Sequence, residues 1–142
     1  LVIWNSPRPS CASLPLNSSW PASAPSEGSS GFCTSPTTSS RMDGFAPRLL
    51  DLGLTAMIGK GGRAPAVVDA IVRNGACYFA AVGGAGALIA KHIETAEVIA
   101  FDDLGCESVK KMTVKDFAVT VAIDSRGNDL YASGPSGYKK EI

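Results

Sequence analysis

Two short stretches of this 142-residue chain carry side chains in patterns suited to binding a small anion. The first is Ser35-Pro36-Thr37-Thr38-Ser39-Ser40-Arg41-Met42-Asp43. Hydroxyls gathered just ahead of a helix can simply cap it, with Ser39 or Ser40 supplying the oxygen. In a second reading, the helix N-terminus, the Thr37 and Thr38 hydroxyls and the Arg41 guanidinium form a carboxylate pocket. Arginine suits that role because its planar fork bonds both carboxylate oxygens. The other stretch is Gly59-Lys60-Gly61-Gly62-Arg63. It lacks the G-x-x-x-x-G-K-[ST] order of a nucleotide phosphate loop. Lys60 stands between glycines at the carboxyl end of an expected buried strand, where α/β sheets usually place ligands. A solvated loop lysine is the competing account.

The remaining candidates are weaker. Gly83-Gly84-Ala85-Gly86 fails the dinucleotide fingerprint, since Ile89 stands where the third glycine belongs, and reads as a tight strand-to-helix turn. His92 is the sole histidine and has no partner motif, so a zinc site of ordinary spacing is not supported. Asp102, Asp103 and Asp124 fall at expected strand ends and read as turn formers. No pair of carboxylates stands out as an acid and base.

These residues need elements to hold them. Apolar residues at 42, 45, 46, 49, 50 and 52 give near-helical spacing over 41–52, with Gly53 as the stop. Residues 54–58 read as a short buried strand. Pro65 suits the first turn of a helix that buries Val67, Val68, Ile71 and Val72 and ends at Asn74-Gly75. Strands are expected over 76–82, 96–101 and 117–124, a short helix through His92, and an extended piece near Leu130-Tyr131. Nearly all-apolar strands alternating with helices predict an α/β layered domain with a mainly parallel sheet.

Residues 1–34 have a different texture, rich in Ser, Pro and Ala, with Arg8 and Glu27 their only charges. Prolines interrupt any strand or helix there, and so little apolar surface cannot offset the entropy of ordering. The expected division is therefore a disordered or aberrant segment over 1–34 and a folded domain over 35–142. Formal net charge is zero, with 13 basic and 13 acidic residues, which announces no nucleic-acid partner. No apolar run reaches the roughly 18 residues of a membrane-spanning helix. Four scattered cysteines without a C-x-x-C pair fit reduced thiols and a cytoplasmic setting.

Taken in order, Pro-Thr-Thr-Ser-Ser-Arg-Met-Asp (36–43), Gly-Lys-Gly-Gly-Arg (59–63) and Ala-Val-Gly-Gly-Ala (81–85) resemble the β domain of class I fumarate hydratases and tartrate dehydratases. Asp-Leu-Gly (103–105) and Asp-Ser-Arg-Gly-Asn (124–128) continue the likeness, which runs from about Pro36 to Tyr131. The resemblance implies a swivelling β/β/α domain and a hydro-lyase acting on a C4 dicarboxylate, fumarate or tartrate. It also implies a partner α subunit carrying a [4Fe-4S] cluster, in a hetero-oligomer, with no metal held by this chain. Position by position, Thr37 matches the proposed catalytic base. Arg41 and Lys60 match substrate-binding residues, and Thr38 a neighbour of the substrate. An Arg-Asp-Ala-Ala-His-like segment that the family carries upstream is missing. The domain is therefore expected to lack N-terminal strands, and either a non-catalytic remnant or a small-anion-binding module is the alternative.

Overall fold

The computed structural model describes residues 2–4, 38–84 and 86–138. Among them the strands are β1 (Val2–Trp4), β2 (Ala56–Gly59), β3 (Cys77–Ala80), β4 (Ile93–Ala100), β5 (Val109–Val114) and β6 (Thr120–Ile123). The helices are α1 (Ala46–Asp51), α2 (Pro65–Asn74), α3 (Gly86–Ala90) and α4 (Leu130–Ser136), with 3-10 turns at Ser39–Met42 and Asp102–Glu107.

The architecture is mixed α/β, but its sheet is not mainly parallel. The four-stranded sheet runs β1-β2-β3-β6, and β4 and β5 form a separate two-stranded sheet. Only β2 and β3 pair in parallel; β1 joins β2, and β6 joins β3, antiparallel. An apolar run reports burial and not direction, which the connection decides. The α2 crossover returns the chain parallel, whereas the antiparallel β4–β5 ribbon lies between β3 and β6. Val2–Trp4 lies within the segment whose composition argues against order, and it occupies the outer edge of β2.

Local chemistry explains α2. Pro65 stands at its first turn, where a missing N–H costs nothing, and Gly75 closes it in the left-handed region at φ 61°. Its buried face, Val67, Ala70 and Ile71, packs with Leu50 of α1 and with Met57 and Tyr78 of the sheet. Each large apolar side chain buried there contributes about 1.5–3 kcal/mol.

Several local expectations shift. The helix anticipated over 41–52 divides into the turn at Ser39–Met42 and the short α1, where Pro47 sits in the first turn. β5 alternates Lys110, Met112 and Val114 inward with exposed neighbours, a pattern obscured in sequence by its two lysines. Leu130-Tyr131 opens a helix, not a strand, because the Asp129 side chain accepts the Tyr131 backbone N–H at 2.8 Å. Gly134 and Pro135 inside it hide that helix from propensity. Cys77, fully buried, is disulfide-bonded, where scattered spacing pointed to reduced thiols. Spacing along a chain does not say which cysteines fold together. Among the described residues no helix is long and apolar enough to cross a membrane.

Candidate functional site

The two motifs meet at the carboxyl end of the β2–β3 pair. Lys60 directly follows β2 and forms a parallel bridge with Thr38, and the Ser39 N–H donates to the Lys60 carbonyl at 3.1 Å. The hydroxyl-rich turn is thereby laid beside the glycine loop. On the β3 side, the Ala81 N–H donates to the Gly59 carbonyl at 2.8 Å, bringing the second glycine turn alongside. A Cβ on Gly83 would lie 3.4 Å from Lys60 Cδ and 3.5 Å from its Nζ. The lysine stem therefore runs across the Gly83 backbone, at a distance where a Cβ would make ordinary van der Waals contact with it. Gly61 adopts φ 81°, and a Cβ there would come within 3.8 Å of Thr38 Cγ2. Thr38, Lys60, Gly61 and Gly83 form one cluster.

A buried framework lies beneath it. Arg63 Nε donates to Asp43 Oδ1 at 2.7 Å, and the Ala64 N–H, at the start of α2, donates to Asp43 Oδ2 at 2.7 Å. The Arg63 side chain is fully buried, and its Cζ stands 5.0 Å from the centroid of the Tyr78 ring. A desolvated cation gains from both contacts. Nη1 reaches the Met57 sulfur at 3.6 Å, and Nη2 is buried without a hydrogen-bond partner among the described residues. The Tyr78 hydroxyl contacts the Gly61 carbonyl at 2.9 Å and Ser39 Oγ at 3.1 Å. A phenol has one proton and a carbonyl can only accept, so Tyr78 donates to Gly61 and receives from Ser39. Burial raises the Tyr78 pKa against the opposing pull of Ser39, keeping the phenol protonated at neutral pH. From α4, the Tyr131 hydroxyl accepts the Gly61 N–H at 3.0 Å.

Of the residues singled out in the sequence, Thr37 lies outside the described residues. Thr38 is exposed at the bridge, and Arg41 is exposed on the same 3-10 turn. Lys60 is partly buried. Among the described residues the ion pairs are Arg63 with Asp43 and Arg73 with Asp51, so neither Arg41 nor Lys60 has a carboxylate partner. His92 sits apart on the β4–β5 ribbon, its Nδ1 3.1 Å from the Lys115 carbonyl. Asp124 organises a turn by accepting from Asn128 Nδ2 and from the backbones of Arg126 and Asn128, which lower its pKa. Sequence reasoning missed Asp43, Arg63, Tyr78 and Tyr131. Asp43 and Arg63 stood inside the two motifs, but only the fold shows that they face each other. Nothing in the sequence marks the tyrosines.

Chemically the cluster offers an anion the Lys60 cation and the Thr38 hydroxyl, with Arg41 exposed on the adjoining turn. Among the described residues no three His, Cys, Asp or Glu side chains converge.

Residues 18–134 match the family described as Fumarase C-terminus. That match starts ahead of Pro36, where the family motifs begin, and within the segment set apart by composition. The chain is 35% identical over 120 residues to fumarate hydratase 2 of Leishmania major, covering 83% of this chain and 21% of that protein. It is 34% identical over 119 residues to the aerobic class I fumarate hydratase of Escherichia coli, covering 82% and 22%. Against a Methanocaldococcus jannaschii protein carrying the name L(+)-tartrate dehydratase subunit beta, identity is 36% over 100 residues, covering 68% and 51%. The chain thus spans about a fifth of the length of those fumarate hydratases and about half of the tartrate dehydratase subunit.

Proposed function

The chain belongs to the fumarase C-terminus family, and from that premise we propose that it is the β portion of a hydro-lyase that adds water reversibly to a C4 dicarboxylate. Its relatives are named as fumarate hydratases and as a tartrate dehydratase subunit. The observation that carries the reading in this chain is Lys60. It is a partly buried cation at the carboxyl end of a parallel strand pair, seated against Gly83 and without a carboxylate partner among the described residues. A partly buried cation without a counter-ion is open to pairing with an anion, and a substrate carboxylate supplies that charge.

In this reading Lys60 and Arg41 hold the carboxylates of the substrate, Lys60 as a compact charge and Arg41 through its planar fork. Thr38 offers a hydroxyl beside them. Thr37 keeps the role of base that the resemblance implies. A threonine hydroxyl needs neighbouring positive charge to give up its proton, and this reading assigns that part to Arg41 and Lys60. The [4Fe-4S] cluster belongs to an α partner, and this chain acts as the swivelling domain that closes over it.

The test is anaerobic co-production with an iron–sulfur α subunit, followed by fumarate hydration and tartrate dehydration assays on the purified complex. Turnover of either substrate, abolished by Lys60→Ala, is the expected result. A stable complex with an intact cluster and no turnover would make the chain a non-catalytic remnant. Failure to associate with any such subunit would remove the partnership from the proposal.

A further inference from the structure

We propose that Tyr131 is a positioning residue for this site: acting through the Gly61 amide, its hydroxyl sets the direction in which Lys60 meets a carboxylate. The inference rests on the reading of Lys60 given above and adds a residue to it.

The peptide plane that follows the Lys60 Cα is held at both ends. Its carbonyl accepts the Ser39 N–H at 3.1 Å, and its N–H, that of Gly61, donates to the Tyr131 hydroxyl at 3.0 Å. One carbonyl further on, the Tyr78 hydroxyl donates to Gly61 at 2.9 Å. Gly61 itself is at φ 81°, a conformation that other residues rarely adopt. A glycine in such a loop is free to swing, and the peptide orientation beside it decides where the preceding side chain points. Of the three contacts, one is main chain and one comes from the buried Tyr78. The third comes from a tyrosine that is 39% exposed.

A packing role does not account for Tyr131. α4 buries none of its residues, so it adds little to either core. It reaches the loop through the Tyr131 hydroxyl and through a close approach of Tyr131 Cβ to Gly62, 3.9 Å from where a Cβ would stand there. The hydroxyl accepts from Gly61, and its own proton finds no acceptor among the described residues. Tyr131→Phe deletes this contact and leaves the ring in place.

The experiment uses the full chain and succinate, a C4 dicarboxylate that cannot be hydrated. Three quantities are measured on wild type, Tyr131→Phe and Lys60→Ala: hydrogen exchange at the Gly61 amide, the succinate dissociation constant, and the thermal midpoint. Tyr131→Phe is expected to speed Gly61 exchange and weaken succinate by about tenfold each, the size of one lost hydrogen bond, with at most a small fall in the midpoint. Unchanged Gly61 exchange, or unchanged succinate binding where Lys60→Ala abolishes it, overturns the role of Tyr131. A lowered midpoint with unchanged succinate binding means that the hydroxyl only stabilises the fold, which also overturns it. If Lys60→Ala binds succinate as wild type does, or wild type does not bind it, the anion site itself is wrong. The Gly61 exchange rate then still decides whether Tyr131 holds the loop.

Discussion

Asp43 and Arg63 meet at 2.7 Å across twenty residues of sequence, with the guanidinium fully buried and the carboxylate nearly so. This contact ties the turn that bears Thr38 and Arg41 to the loop that bears Lys60. The other carboxylate oxygen of Asp43 holds the N–H of Ala64 at the start of α2, so one side chain organises three segments.

Removing either member of the pair leaves a buried charge without its counterpart. Asp43→Ala should destabilise the chain by about 3–5 kcal/mol, because Arg63 already has one buried nitrogen unpartnered. Denaturant unfolding checks this. A loss under about 1 kcal/mol would mean that Arg63 reaches water in the mutant.

Arg41 is exposed, and its replacement should spare the fold. In a complex competent for turnover, Arg41→Ala is expected to cost about 2–4 kcal/mol in kcat/KM, with denaturant stability within about 0.5 kcal/mol of wild type. Steady-state kinetics beside an unfolding curve separate the two. Full activity would remove the carboxylate role assigned to Arg41.

Two adjacent glycines should respond differently to alanine. Gly83→Ala places a methyl in ordinary van der Waals contact, 3.4 Å from Lys60 Cδ, so it should leave both stability and dicarboxylate binding close to wild type. Gly84, at φ 81°, has open space around it, and Gly84→Ala should cost about 1 kcal/mol through backbone strain. Melting and succinate titration of both variants give the comparison.

Acid should loosen the Asp51 contact between α1 and α2 and the turn that Asp124 organises. The Asp51 pKa is lowered by hydrogen bonds from Asn74 and Arg73, and that of Asp124 by Asn128 and its neighbours. A carboxyl whose folded pKa is depressed binds fewer protons folded than unfolded. Its contribution is therefore complete above the unfolded value of about 3.9 and is lost as pH falls through the folded one. The thermal midpoint should fall below about pH 4, and less steeply in an Asp51→Asn, Asp124→Asn double variant. Parallel acid limbs for the two proteins would contradict this.

Local punctuation was legible in the sequence, and so were candidate residues for the site. Thr38, Arg41 and Lys60 were visible because hydroxyls and cations beside glycines are informative without coordinates. Pro65 and Gly75 bound α2 through backbone rules that act on single residues. Tertiary structure decided everything that needed two distant segments at once. Strand direction followed from the α2 crossover and the β4–β5 ribbon, which an apolar run does not encode. Asp129 capping turned Leu130-Tyr131 into a helix and brought the Tyr131 hydroxyl to the glycine loop. The facing of Asp43 and Arg63, and the seating of Lys60 on Gly83, arise from the sheet register joining Thr38 to Lys60. Hydrogen bonding and ion pairing depend on distance in space, and only packing converts separation along the chain into that distance.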